Sequence, residues 1–258
     1  MQPPTNLIGL CCPRDRTALT FASGEVICAK EHRYRFEQRT IDFSPDISNA
    51  FYFHSWMTAI YDWSLPLFSL PRVFGVRRDC LERLHQRAIS AAQGRTLLDV
   101  PGGTGLFSIK EAARVGVASY LGADLSLPML RRSAARLQRF SLAGTLLCCD
   151  LMQLPCVDGA VDVVLCSLGL QFVAKRNAAL AELRRVVAPG GRFFGAAPAL
   201  GLDRRYDQRH AKRKRKDFPL DHSTFSAELN AAGFRLIQSD VEGALVLWEA
   251  EAIDVNSA

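Results

Sequence analysis

The stretch Thr96-Leu97-Leu98-Asp99-Val100-Pro101-Gly102-Gly103-Thr104-Gly105 constrains this chain more than any other. An apolar run ends in an acid, a glycine-rich turn follows, and Leu106 to Val115 is amphipathic. That order describes a strand delivering its end to a helix N-terminus, the place where an open α/β sheet binds nucleotide-like ligands. Glycine lets the backbone approach a ligand closely, and Asp99 sets a carboxylate at the strand's carboxyl end.

The pattern then repeats. Ser119 to Leu125 reads as a strand carrying Asp124 at its end, and Ser126 with Pro128 starts a helix reaching Phe140, Ser126 being the N-cap. Thr145 to Cys149 is a third strand, followed by Asp150. Val161 to Ser167 is a fourth, valine-rich as a strand buried on both faces should be. A helix over Asn177 to Val187 turns at Pro189-Gly190-Gly191 into a strand over Arg192 to Ala197. A helix over Ser223 to Ala232 precedes strands near Phe234 to Asp240 and Ala244 to Glu249, which lie too close in sequence for a helix between them and should pair antiparallel. Strands alternating with helices predict an α/β doubly wound, mostly parallel sheet.

Asp99, Asp124 and Asp150 follow one another at intervals of 25 and 26 residues. Neighbouring parallel strands point the same way, so the three carboxylates line one sheet edge. Asp124 stands where a carboxylate accepts ribose hydroxyls, and Asp150 lies further along, near a base amino group. A nicotinamide enzyme shares the first two features but usually writes G-x-G-x-x-G, which this turn does not.

The chain has 258 residues, 48% hydrophobic and 22% charged, which allows one large domain and a small appendage. No apolar run approaches the roughly 18 residues that span a bilayer, and no basic leader opens the sequence, so a cytoplasmic protein with no membrane partner is expected. The formal charge of +6 is concentrated: Arg204 to Lys216 holds eight basic residues against Asp207, leaving the remainder at −1. Such a segment implies a local anionic partner or a solvated loop.

Five of the eight cysteines (Cys80, Cys148, Cys149, Cys156, Cys166) lie in or beside apolar runs, where cysteine acts as a small hydrophobe. Cys11, Cys12 and Cys28 cluster instead near His32, within a short β-rich module closing at Pro45. Cys12-x-x-Asp15 and Cys28-x-x-x-His32, a hairpin's length apart, have the layout of a zinc ribbon or a degenerate, metal-free one. Asp15 stands where a standard site has cysteine, with Cys11 as a possible substitute ligand. A module this small buries little core, and a metal would offset the deficit. Asn49 to Trp63 is rich in aromatics, including Phe51, Trp56 and Tyr61, and reads as a broken helix that is either a staple or a lid. Arg77 to Ala92 is a helix that packs on the sheet. The division is a ribbon-like module over 1–45, a helical linker or lid over 46–93, and the sheet domain over 94–258 with a basic insertion at 201–220.

In combination these motifs resemble the class I S-adenosylmethionine-dependent methyltransferases over about residues 94 to 249. The carrying motifs are Leu98-Asp99-Val100-Pro101-Gly102-Gly103-Thr104-Gly105, Leu121-Gly122-Ala123-Asp124-Leu125-Ser126, Cys149-Asp150-Leu151 with Leu154-Pro155, Phe172, and Leu183 to Gly191. The resemblance implies a seven-stranded Rossmann-like sheet and S-adenosylmethionine as cofactor. It implies that Asp99 and the loop of Pro101, Gly102, Gly103 and Gly105 hold the methionyl part, and that Asp124, with Leu125 beside it, holds the ribose. Asp150 with the Leu151 backbone would hold the adenine, and Ser167 and Leu168 would face the reacting methyl group. Pro101 replaces the family's first glycine, fixing φ and removing a donor. The N-terminal residues Cys12-Pro13, Cys28, His32, Tyr34 and Ile41-Asp42-Phe43 are similar to the ribbon of large-subunit rRNA guanine methyltransferases and relatives of unassigned substrate, with Asp15 departing from it.

Methyl transfer from a sulfonium needs chiefly alignment, with a base only where the acceptor must lose a proton. His54, Tyr206, His210 and His222 are the candidate bases. The near-neutral remainder and the aromatic segment favour a small, carrier-bound or anionic molecule as acceptor. The ribbon and the basic run favour RNA, and a third reading keeps the fold and cofactor but catalyses a different reaction such as a cyclisation.

Overall fold

A computed structural model describes residues 7–44, 55–212 and 218–253, apart from the side chains of residues 55–57, 59 and 68. His54 and the end of the basic run, Arg213 to Lys216, lie outside the described residues.

The chain opens as an antiparallel meander of β1 (Leu19–Ala22), β2 (Glu25–Cys28), β3 (Arg33–Glu37) and β4 (Thr40–Asp42). Then come α1 (Ser55–Ser64), a wider-wound turn segment Leu65–Phe74, and α2 (Arg78–Ala91). The alternating core is β5 (Thr96–Asp99), α3 (Ile109–Val115), β6 (Ser119–Asp124), α4 (Leu127–Arg139), β7 (Gly144–Cys148) and β8 (Val161–Ser167). It continues as α5 (Arg176–Val186), β9 (Val187–Leu200), α6 (Arg204–Lys212), β10 (Leu220–Asp221), α7 (Phe225–Ala231), β11 (Phe234–Glu242) and β12 (Leu245–Ala252).

The central strands run in the order β7-β6-β5-β8-β9-β12-β11, parallel except for β12, which pairs antiparallel with both β9 and β11. Seven strands and the antiparallel closing pair are as the motifs predict. Consecutive residues on each central strand go to opposite faces. Leu97, Tyr120, Leu146 and Val163 pack under α2, α3 and α4, while Leu98, Leu121, Leu147 and Val164 pack with Leu180 and Leu183 of α5 and Leu229 of α7. Burial on both sides is why these strands read as continuous apolar runs. Ser126 caps α4 as expected, its hydroxyl accepting the Met129 amide at 3.4 Å.

Two features differ from the sequence reading. The ribbon does not stand apart: β4 pairs parallel with β7, Ile41 opposite Leu147, so the meander extends the central sheet. The short module thereby gains a large neighbour on which to bury Ile41 and Phe43. The basic stretch is no simple loop either. Its first part folds as α6, with the buried Tyr206 ring 5.9 Å from Phe74.

Candidate functional site

The strand tips place Asp99 and Asp124 on neighbouring strands and Asp150 just past β7, as the intervals predict. Asp99 is only 2% exposed and accepts from the Ser108 hydroxyl at 2.5 Å and the Tyr120 hydroxyl at 3.0 Å. Burial pushes its pKa up to about 6 against those two hydrogen bonds, with the nearby Asp124 charge adding to the rise. Asp124 Oδ2 accepts the Gly103 amide at 2.9 Å and Oδ1 accepts the Ser126 amide at 2.8 Å, and burial raises its pKa to about 6 as well. Asp150 Oδ1 accepts the Met152 amide at 2.8 Å, which fixes the bend into Leu151.

The glycine turn is built to lie close to what surrounds it. Gly103 has φ +53° and Gly105 φ +67°, and a Cβ at Gly105 would come within 2.2 Å of Ile109 Cδ1. Pro101 fits because Gly169 faces it: a Cβ there would meet Pro101 Cδ at 2.2 Å. The missing side chain of Gly169 makes room for the ring that replaces the expected glycine. Leu168, next to it, holds the left-handed conformation at φ +55°, its amide bonded to Ala196 O at 2.7 Å and its carbonyl to Gln171 Nε2 at 2.9 Å. A leucine there is strained, and backbone strain gathers at ligand sites.

Asp99, Pro101, Gly102, Gly103, Ser167 and Leu168 line one narrow cleft of about 40 Å³. Its other wall is apolar and aromatic, from Tyr61, Leu65, Leu81, Leu106 and Phe107, with His85 among them. Gly105, Asp124, Leu125, Asp150 and Leu151 lie outside that cleft's lining, further along the sheet edge.

Sequence reasoning missed Asp62 and His85 here and named Tyr61 only as part of the aromatic segment. Asp62 of α1 accepts from Thr104 Oγ1 in the glycine turn and pairs with Arg136 at 2.6 Å and Arg132 at 3.3 Å on α4. These contacts fasten α1 over the turn. Tyr61, one residue earlier, has its hydroxyl pKa raised by burial and then by the charges of Asp124, Asp62 and Asp99. His85 Nδ1 lies 3.1 Å from Leu81 O, so the ring donates to that carbonyl and Nε2 keeps the lone pair. Burial lowers its pKa to about 4, which leaves it neutral at pH 7. The signal was present as a histidine on the apolar face of the Arg77–Ala92 helix, four residues after Leu81.

The candidate bases foreseen from sequence are elsewhere. Tyr206 and His210 sit on α6 with rings 6.1 Å apart, and His222 is exposed beyond β10; none of the three lines the cleft.

The ribbon brings Cys12, Asp15, Cys28 and His32 together, their donor atoms all within 4.8 Å of one another. His32 Nδ1 is 3.4 Å from each sulfur and 3.2 Å from Asp15 Oδ2, which is 3.5 Å from Cys28 Sγ. Tetrahedral zinc with Zn–S of about 2.3 Å and Zn–N or Zn–O of about 2.0–2.1 Å places its ligands roughly 3.3 to 3.8 Å apart, so these four separations suit that ion closely. The surrounding groups suit thiolates: the Tyr34 hydroxyl is 2.9 Å from Cys12 Sγ, and the His32 amide donates to Cys28 Sγ at 3.3 Å. Thr17 donates to Asp15 Oδ1 through amide and hydroxyl, leaving Oδ2 turned to the cluster. Cys11 is buried and is not one of the four.

Residues 98–195 match the family described as methyltransferase domain. A ubiquinone/menaquinone biosynthesis C-methyltransferase, UbiE, of Ruegeria sp. (strain TM1040) is 38% identical over 120 residues, 44% of this chain and 48% of that protein. A demethylmenaquinone methyltransferase of Thermus thermophilus is 35% identical over 114 residues, 43% of this chain and 52% of that one. The chain spans about half the length of these relatives. Among solved structures, an S-adenosylmethionine-dependent methyltransferase from Aquifex aeolicus superposes with a TM-score of 0.56 at 17% identity, covering 78% of this chain and all of that one, which shows the shared fold. Residues 98–195 are thus similar to a methyltransferase domain, and the sheet has the fold of S-adenosylmethionine-dependent methyltransferases of known structure.

Proposed function

We propose that this protein moves the methyl group of S-adenosylmethionine to a small, largely apolar acceptor seated between the glycine turn and α1. The observation that carries the reading is the cleft itself, where the acid-and-glycine rim of the parallel strands faces the apolar wall of Tyr61, Leu65, Leu81 and Phe107. Among the described residues its lining holds no arginine or lysine, and the buried Asp99 carboxyl suits the cationic methionyl end of the donor. The relatives' names, a ubiquinone/menaquinone biosynthesis C-methyltransferase and a demethylmenaquinone methyltransferase, support a quinone-type acceptor for this apolar wall.

When bound, S-adenosylmethionine supplies an electrophilic methyl group on a positively charged sulfur. The chain's residues align and desolvate. Asp124 would offer carboxylate oxygens to the ribose, Asp150 and the Leu151 backbone would serve the adenine, and the Leu168 backbone would shape the floor beside Ser167. Where the acceptor must lose a proton, a base lining the cleft would take it. His85, neutral at pH 7 and part of the cleft's lining, is our candidate to receive it.

We also propose that Cys12, Asp15, Cys28 and His32 hold zinc, as a structural ion that ties β1–β3 together. Zinc would supply folding energy to the module and no step of the transfer.

Incubation with methyl-labelled S-adenosylmethionine and separate fractions tests the assignment. Label entering an organic-extractable quinol fraction supports it, while label confined to RNA overturns it in favour of the nucleic-acid reading.

A further inference from the structure

We propose that the outer face of α1 and the Leu65–Phe74 segment, together with α6, is a docking surface for an anionic lipid bilayer. Ile60, Trp63 and Leu67 are 46%, 58% and 56% exposed and follow one another at i, i+3 and i+7, so they form an outward apolar stripe. Among residues 55–74 the one acid, Asp62, is turned inward to Thr104 and Arg136, and the one base, Arg72, is exposed at the segment's far end.

There α6 joins the stripe. Arg209 donates to the Arg72 carbonyl and Tyr206 packs on Phe74, which brings the exposed Arg204, Arg205, Arg209 and Lys212 alongside. The acid of that helix, Asp207, is occupied by the Gly201 amide. Tryptophan and leucine beside a cluster of arginine and lysine is the composition that settles at the headgroup boundary of a negatively charged bilayer. A nucleic acid would use the cations but has no use for a solvent-facing stripe of isoleucine, tryptophan and leucine, so the lipid surface accounts for both halves of the patch. The stripe is also the back of the cleft wall, since Tyr61 and Leu65 lie between its members and line the cleft. An apolar acceptor dissolved in the bilayer would meet the site there, a consequence that rests on the methyl-transfer reading. The expectation of no membrane partner was drawn from the lack of a spanning run, and no described helix is long and apolar enough to cross a membrane. Peripheral docking needs no such span.

Co-flotation of the full chain with lipid vesicles tests this. Vesicles containing phosphatidylglycerol should carry the protein, and pure phosphatidylcholine vesicles should not. Trp63→Ser with Leu67→Ser, and separately the set Arg204→Gln, Arg205→Gln, Arg209→Gln and Lys212→Gln, should each cut partitioning about tenfold or more with S-adenosylmethionine affinity unchanged. Lack of flotation, flotation indifferent to the apolar pair, or binding of RNA in preference to vesicles overturns the proposal. Flotation intact in a protein that binds no S-adenosylmethionine supports the surface while overturning the methyl-transfer reading.

Discussion

Asp124 Oδ2 accepts the Gly103 amide at 2.9 Å, so the carboxylate at the tip of β6 holds the glycine turn that follows β5. One side chain thus shapes the turn and faces the ligand edge. Asp124→Ala is expected to weaken S-adenosylmethionine binding by about tenfold to a hundredfold, the scale of one to two hydrogen bonds to a charged group. Titration calorimetry checks it, and unchanged affinity would remove Asp124 from the ribose site.

The buried Asp99 carboxyl gives a pH signature. Its folded-state pKa of about 6 lies above the ordinary 3.8, so its stabilising contribution is complete below about pH 4 and is lost as pH rises through 6. Between pH 4 and 7 wild type should lose about 2 kcal/mol relative to Asp99→Asn, measured as the difference in denaturant-unfolding free energy. A cationic donor favours the ionised form, so its binding near pH 6 should release protons, which calorimetry in buffers of different ionisation enthalpy detects.

The ribbon and the loop that follows β7 are bonded to each other. Gln153 Nε2 donates to Pro13 O at 2.8 Å, Cys11 N to Pro155 O at 3.0 Å, and Arg16 to Leu154 O at 3.0 Å. A chelator should therefore lower the melting temperature and also weaken S-adenosylmethionine binding severalfold. Asp15→Cys, which restores a third thiolate, should tighten zinc, and Asp15→Ala should lose it, read by metal stoichiometry after gel filtration. Cofactor affinity unmoved by metal removal would show the two sites to be independent.

Asp62 fastens α1 over a cleft of about 40 Å³, too small for a quinol-sized acceptor, so α1 must shift to admit one. Asp62→Ala should speed amide hydrogen exchange across residues 58–64 and raise the acceptor KM. Exchange identical to wild type would show that other contacts hold the helix.

His85→Phe keeps a ring against Phe107, whose centroid is 5.3 Å away, and deletes Nε2. For an acceptor that loses a proton, kcat should fall by about 10² or more while S-adenosylmethionine affinity stays within twofold. An undiminished kcat would leave His85 as a packing residue.

The order of strands and helices, the acidic edge of the sheet and the clustering of Cys12, Asp15, Cys28 and His32 were written locally, as apolar runs, acids at their ends, glycines where the backbone must turn, and paired ligand spacings. Asp99, Asp124 and Asp150 could be placed because a parallel sheet brings every strand's carboxyl end to one edge. What tertiary structure alone decided are contacts between segments distant in sequence: Gly169 making room for Pro101, β4 joining the ribbon to β7, Asp62 reaching Arg136, and His85 arriving at the cleft. Periodicity tells which face of a segment is buried. It does not tell which neighbour buries it, and the chemistry of a cleft depends on that neighbour.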